Sequence, residues 1–257
     1  MKRAGRPSFA SLVLLAPVLM GLALPGVHAG HRGAPPSQGE AAEEPLPEVD
    51  AEARAAATAV LDAVSKHLRE VEILRAAYVQ ERTSPLLIEP LTSRGTLFQR
   101  TEPACLVFQV ATPHRADIRV DAKTYQVHRP EEATAERFVF EGTHAGKALL
   151  QALRPEAKSL YEAFFLVAWE AVEDRATLTL RPRVARARKL VDHVELTLDT
   201  KRKLPHALRY VDRDGHSVRL TLSDVRLDPE LEDPTALFRA ELPKGVRLLV
   251  HRLRDRE

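Results

Sequence analysis

The stretch LRYVDRDGHSVRLTL, residues 208–222, decides the fold class. Leu208 and Tyr210 stand two positions apart before an Asp-Gly pair, and Val218, Leu220 and Leu222 continue the same period after it. A period of two places alternate side chains on one face of a strand. An Asp-Gly pair between two such runs supplies the positive φ of a tight hairpin. The stretch therefore predicts an antiparallel hairpin with one apolar face.

The same period recurs along much of the chain. Turn sequences at residues 121–123, 173–175 and 201–203 separate the runs at hairpin intervals. Residues 163–172 fit either a helix or a buried strand, and we favour a strand because the turn at 173–175 then closes a hairpin. The other alternating apolar residues are Ile118 and Val120, Tyr125 and Val127, Leu178 and Leu180, and Val194, Leu196 and Leu198. The pattern predicts one meandering antiparallel sheet.

Two segments have helical spacing instead. Asp50 is a suitable N-cap for an Ala-rich helix that extends to about Ala76, and its apolar stripe is Leu61, Val64, Leu68 and Val71. A shorter helix is predicted between residues 143 and 155 and contains Leu149 and Leu150. A sheet with one apolar face must curl or be covered by helices. We therefore predict a mainly β, α+β domain in which both helices form a lid over a curved antiparallel sheet.

The N-terminus has the layout of a secretory signal peptide. Lys2, Arg3 and Arg6 precede an apolar run at residues 11–25, and small residues lead up to Ala29. The run is too short and too often interrupted by proline and glycine for a membrane anchor. We expect cleavage near Ala29, a disordered tether at residues 30–50 and a soluble periplasmic domain at residues 51–257.

Composition excludes several classes of function. The chain has 257 residues, 44% of them hydrophobic, with 38 basic and 36 acidic residues. Removal of residues 1–29 leaves 35 basic against 36 acidic residues and a formal charge of −1, so no nucleic-acid partner is expected. The single cysteine, Cys105, lies in an apolar stretch and is expected to be buried and inert. No nucleophile elbow, phosphate loop, dinucleotide fingerprint or metal-binding histidine pair occurs, so we expect no enzyme, cofactor or metal.

Four segments, in order, resemble motifs of the outer-membrane lipoprotein carrier family, the LolA-type periplasmic chaperones. Tyr78 precedes Gln80 by two positions, and Gly95-Thr96-Leu97-Phe98 leads to a turn that contains Arg100 and Pro103. The hairpin and strand at residues 118–130 and the closing segment at 212–246, with its Pro-Lys-Gly-Val ending, complete the series. The resemblance covers about residues 51–250.

The resemblance implies an unclosed half-barrel whose apolar concavity, covered by helices, holds the acyl chains of a lipoprotein or other lipid. It also implies an inner-membrane transporter as donor, an outer-membrane receptor as acceptor and a monomeric carrier. The family's arginine latch is thought to bind the lid, but Val107 and Phe108 stand at the matching Arg-Trp positions. The candidate wall residues are Tyr78, Leu97, Phe108, Val120, Tyr125, Leu196, Leu208, Tyr210, Leu220 and Leu222.

Two other functions compete with the carrier. A half-barrel of this kind could serve as an interaction or sensing module that regulates an envelope response through a protein partner. It could also be a structural envelope protein whose concavity is filled by its own side chains. Each wall residue could equally belong to an ordinary packed core.

Overall fold

A computed structural model describes residues 48–141 and 153–254. Its centre is one sheet of 12 strands. The strands are β1 Ile73–Thr83, β2 Leu91–Arg100, β3 Cys105–Thr112, β4 Ala116–Asp121, β5 Thr124–Arg129, β6 Thr134–Glu141, β7 Phe164–Val172, β8 Arg175–Pro182, β9 Val191–Asp199, β10 Leu204–Asp212, β11 Ser217–Leu227 and β12 Arg247–Arg254. The helices are α1 Ala51–Arg69, α2 Ala157–Ala163, α3 Ala185–Arg188 and α4 Pro234–Leu237, with a 3-10 turn at Pro130–Glu132.

The sheet is open, with the strand order β12-β6-β5-β4-β3-β2-β1-β11-β10-β9-β8-β7. Strands β7 and β12 are its edges, and β1 joins its two halves by pairing with both β2 and β11. Neighbouring strands are antiparallel except β6 and β12, which are parallel. The predicted fold class, an unclosed, mainly β half-barrel with an N-terminal helix and a short helix, is therefore confirmed, with one parallel pair added at an edge.

The predicted hairpins form where the turn sequences lie. The predicted turns join β4 to β5, β7 to β8, β9 to β10, and β10 to β11. The ambiguous run at residues 163–172 is strand β7 from Phe164 onward, as favoured, but α2, which ends at Ala163, was not predicted. Residues 143–152 of the short helix predicted between residues 143 and 155 lie outside the described residues. Strands β6 and β12 were also missed, because neither has a sustained alternation of apolar and polar residues.

The first helix is shorter than the sequence predicts, since α1 ends at Arg69 rather than near Ala76. Its start is as expected: the Asp50 side chain accepts a hydrogen bond from Ala53 N at 2.8 Å. Beyond its end, Asp228 Oδ1 accepts hydrogen bonds from the backbone N–H groups of Glu72 and Ile73, both at 2.8 Å. These bonds fix the start of β1, so tertiary contacts override the helical propensity of this alanine-rich stretch.

Helix α1 and the C-terminal segment cover opposite faces of the sheet. We call the face beneath α1 the inner face and the opposite one the outer face. After β11, residues 228–246 cross the outer face, where Phe238 packs on Ile73, Phe98 and Val107. Arg119 Nε donates to Phe238 O at 3.0 Å and fixes the crossing segment. This crossing brings the chain to the far edge of the sheet, which explains why β12 lies beside β6 in parallel.

Candidate functional site

The strand register gathers the predicted wall residues on the inner face. Across the centre, Tyr78 lies opposite Leu222, and on the flanking strands Leu97 lies opposite Phe108 and Val120 opposite Tyr125. In the other half, Leu208 lies opposite both Leu196 and Leu220. These nine side chains belong to, or pack against, one apolar cluster that also includes α1.

The tenth residue, Tyr210, lies at the margin of this surface. It packs against a small separate cluster formed by Ala187 of α3 and Val191 of β9. Burial raises the pKa of its phenol to about 12, with a further contribution from the charge of Asp212. Tyr210 is therefore a neutral residue at the edge of the inner face.

Aromatic contacts reinforce the half of the inner face formed by β1 to β6. The rings of Tyr78 and Phe108 meet edge to face at a centroid distance of 5.5 Å, and those of Tyr125 and Phe138 at 6.0 Å. Burial raises the pKa of both tyrosines well above the usual range of a phenol, so neither brings a charge to this surface. Phe138 was not predicted, because strand β6 was not recognised.

Helix α1, which the sequence predicts to be a lid, covers part of the inner face. Leu61, Val64 and Leu68 are at most 1% exposed and belong to the same cluster as the wall residues. The fourth stripe residue, Val71, is buried but lies beyond the helix end, so its place in the helix was wrongly predicted. The other predicted lid residues, Leu149 and Leu150, lie outside the described residues.

The N-terminal end of α1 is tied to the sheet by a charged cluster. Val49 N donates to Leu166 O of β7 at 3.2 Å. The Glu48 carboxylate forms ion pairs with Arg54 of the helix at 3.3 Å and with Arg183 at 3.1 Å. Because all three charged side chains are roughly one-third exposed, these ion pairs are weak individually.

Arg154 fixes the other end of the lid. Its Nη1 donates to Leu68 O at 2.7 Å and its Nη2 to Val71 O at 3.0 Å, which satisfies two carbonyls at and beyond the last turn of α1. Desolvation lowers the pKa of Arg154, but the guanidinium stays charged at neutral pH. The sequence contains no motif for this contact, and the only available signal was an arginine directly before a proline. Arg154 thus joins α1 to the segment that leads into α2.

Replacing Arg154 with methionine should loosen the lid. The change keeps an unbranched side chain but removes two charge-assisted hydrogen bonds, so the free energy of unfolding should fall by about 2–3 kcal/mol. Amide hydrogen exchange in the last two turns of α1 should rise at the same time. Arg69→Met, at an exposed position on the same helix, is the matched control and should change neither measurement. Equal exchange in the two variants would contradict the role assigned to Arg154.

The position that resembles the family's latch faces the other way. Val107 is 4% exposed and packs on the outer face with Phe98 and Phe238, whereas its neighbour Phe108 is on the inner face. A side chain at position 107 therefore has no access to α1. Cys105 shares the outer-face cluster, and burial raises the pKa of its thiol, as expected for an inert cysteine.

Burial of the inner face decreases toward the end of the sheet where β1 stops at Thr83, which we call the Thr83 end. On β11, Leu222 is buried while Leu220 is partly exposed, and on β3 Phe108 is buried while Val110 is partly exposed. Leu208, next to Leu220, is also partly exposed. Apolar wall residues are therefore accessible to solvent at this end.

Among the described residues, three side chains of the kinds that bind metal ions lie close together in the β10–β11 turn. Ligand atoms of Asp212, Asp214 and His216 lie within 4.8 Å of one another. Asp212 Oδ1 accepts hydrogen bonds from Asp214 N at 2.9 Å and His216 N at 2.8 Å, so closure of the turn explains their proximity. The group lies outside the apolar inner face.

A family comparison identifies the chain. The model of the family described as "Outer membrane lipoprotein carrier protein LolA" matches residues 69–239, about two thirds of the sequence. The chain belongs to the LolA family. The match includes β1 to β11 and the start of the outer-face crossing, whereas most of α1 precedes it. No curated protein matches the chain at a significant level.

Several solved structures resemble the LolA-family chain at low sequence identity. An uncharacterised conserved protein from Thermus thermophilus is 12% identical, with a TM-score of 0.48, over 76% of this chain and 99% of its own. A chain of the Pseudomonas aeruginosa MucA/MucB complex is 15% identical, with a TM-score of 0.41, over 74% of this chain and 62% of its own. The Mycobacterium tuberculosis lipoprotein LppX is 12% identical, with a TM-score of 0.38, over 70% of this chain and 99% of its own.

Among the described residues of this LolA-family chain, no helix has both the length and the apolar character needed to cross a membrane. The longest, α1, has 19 residues and carries charged groups along its exposed side. Its apolar residues face the sheet.

Proposed function

We propose that the protein is a periplasmic carrier whose inner face shelters the acyl chains of a lipoprotein or another lipid on the way to the outer membrane. The observation that carries this proposal is the continuous apolar inner face beneath α1 in a member of the LolA family. Its central wall residues are aliphatic or aromatic, and its tyrosines are neutral. A surface of this kind suits a ligand without polar groups along its length.

The lid supports reversible binding. In the described structure, Leu61, Val64 and Leu68 of α1 contact the same apolar cluster that an acyl chain would contact. Each methylene removed from water contributes about 0.8 kcal/mol, but a chain that displaces α1 also exposes the apolar stripe of the helix. The net binding free energy is the gain from burying the acyl chain minus the cost of exposing the helix stripe, so cargo can be both bound and released.

The ligand enters from the Thr83 end. Leu220, Leu208 and Val110 are already partly exposed there, and α1 is tied down elsewhere by Glu48 and Arg154. An acyl chain can therefore contact the partly exposed residues before the lid moves. Displacement of α1 then extends the apolar surface toward Leu222 and Leu196.

Export by a signal peptide cleaved near Ala29 belongs to the same proposal, as do an inner-membrane donor and an outer-membrane acceptor. The carrier acts as a monomer without cofactor or catalytic residue. The proposal keeps a disordered tether after the cleavage site, but its predicted bound at residue 50 is too late, because Glu48, Val49 and Asp50 already contact Arg183, β7 and α1. A signal peptide accounts for the apolar run near the N-terminus, which differs from the rest of a chain with nearly balanced charge.

The test is to isolate the exported, mature protein from a cell envelope and identify by mass spectrometry what co-purifies. We expect acylated lipoproteins or free lipids in near-stoichiometric amount, and a strong reduction for a variant with a charged inner face such as Leu208→Glu. A single stoichiometric protein without acyl groups would contradict the carrier function and favour a regulatory half-barrel. Recovery without any lipid or partner would contradict both.

A further inference from the structure

The loop between β1 and β2 carries the most exposed large apolar side chains among the described residues. Leu86 is 89% exposed and Ile88 is 102% exposed, while Leu87 and Leu91 are 38% and 39% exposed. The loop lies at the Thr83 end, the end at which the inner face is accessible. Adjacent exposed aliphatic side chains at one loop tip indicate a contact surface.

The loop is shaped to present these side chains. Leu87 N donates to Ser84 O at 3.0 Å, and Leu86 N donates to Ser84 Oγ at 3.2 Å, which closes a turn. Pro85 lies beside the β10–β11 turn, since a Cβ built on Gly215 would be 3.5 Å from Pro85 Cγ. The turn and this contact fix the start of the loop, while Leu86 and Ile88 stay exposed.

Charges at the base of the loop favour an anionic lipid surface. On β1 and β2, Arg82 and Arg94 have no hydrogen-bond or carboxylate partner within the described segments. Glu81, by contrast, lies directly across from Arg219 of β11. Glu89, which follows Ile88, is exposed and is the acidic residue of the loop itself, so Arg82 and Arg94 outnumber it by one. This excess of positive charge beneath an apolar tip matches the phosphate layer above the hydrocarbon of a bilayer.

We propose that the loop at residues 84–91 docks the protein on a lipid bilayer, with Leu86 and Ile88 in the hydrocarbon and Arg82 and Arg94 at the lipid phosphates. The tip is aliphatic and contains none of the Tyr, Trp or Met side chains that are enriched in protein interfaces. Docking here places the accessible end of the inner face against the membrane. The purpose of docking, transfer of an acyl chain, rests on the proposed carrier function, whereas the docking itself does not.

The test is co-sedimentation with vesicles of phosphatidylethanolamine and phosphatidylglycerol. We expect the wild-type protein to sediment with them, and the double variant L86S/I88S to partition at least 10-fold more weakly. Both residues are exposed, so the variant should remain folded. Val172→Ser, which removes a 67% exposed side chain from β7, is the matched control and should bind like the wild type.

Three outcomes would overturn the proposal: equal partition of L86S/I88S and the wild type, no sedimentation of either protein, or a change of oligomeric state in the variant. The last outcome, measured by light scattering, would mean that a second copy of the chain covers the loop. Binding of a fluorescent fatty acid, measured without vesicles, separates the two proposals. If L86S/I88S loses vesicle binding but binds the fatty acid normally, docking by the loop is supported. If the wild-type protein binds vesicles but no fatty acid, only the carrier function is contradicted.

Discussion

Replacing Leu220 with glutamate should weaken the binding of a fluorescent fatty acid by about 100-fold or more, equivalent to about 2.7 kcal/mol. Leu220 packs at the edge of the inner-face cluster, where an acyl chain would first make contact. A carboxylate there must be desolvated when the chain binds, and the chain offers it no hydrogen bond. Because Leu220 is partly exposed in the unliganded protein, the variant should still fold.

The neighbouring residue provides the control. Arg219 is exposed on the outer side of the same strand, so Arg219→Glu introduces the same carboxylate without touching the inner face. Arg82 could neutralise the new carboxylate of Leu220→Glu, so a second variant is placed one strand farther from that arginine. This variant, Leu208→Glu, should weaken binding as Leu220→Glu does. Equal affinities for Leu220→Glu and Arg219→Glu, measured by titration, would show that the inner face is not the binding surface.

Gly95→Ala should lower the free energy of unfolding by about 3 kcal/mol or more. A Cβ at this position would lie 2.0 Å from the backbone oxygen of Gln109 and 3.0 Å from the ring of Tyr78. The first contact is with backbone of the neighbouring strand, so no side-chain rotation relieves it, and β2 and β3 must separate. The register of β2 against β3 shifts between Arg94 and Gly95, so an irregularity of the ladder lies next to this close contact.

Chemical denaturation of Gly95→Ala should show this loss as a lower midpoint, together with weaker fatty-acid binding. Thr96→Ala is the matched control, since it removes side-chain atoms at the next position without adding an atom near β3, and should cost less than about 1 kcal/mol. Comparable midpoints for the two variants would contradict the close approach of the strands at Gly95.

Much of the fold could be predicted from alternation and turn chemistry. The Asp-Gly turn and the alternating runs located β4, β5 and β8 to β11, because each strand has one buried face and a turn of defined geometry. Strand β6 was missed because it lacks a sustained apolar–polar alternation, although it pairs with β5 across a short turn. The place of β12 could not be found because it depends on the outer-face crossing, which Phe238 and Arg119 hold in place. Long-range contacts of this kind leave no periodic signal.

The site was predictable to the extent that it follows from register. The register places the predicted wall residues Tyr78, Leu97 and Leu222 on one face of the sheet, and their role in binding stays a prediction. The end of α1 was not predictable, because Asp228, more than 150 positions away in sequence, fixes where β1 begins. Arg154 was missed for the same reason, as nothing in its local sequence indicates that it binds the end of α1.

Binding of an acyl chain by the inner face is the central proposal. The most direct measurement is photo-cross-linking of the wild-type protein with a fatty acid that carries a diazirine near its methyl end, followed by mapping of the labelled residues. We predict labels on inner-face residues of β1, β10 and β11, such as Tyr78, Leu208 and Leu222, and competition by unlabelled fatty acid. Labels confined to the outer face, or labelling that unlabelled fatty acid does not reduce, would contradict this proposal.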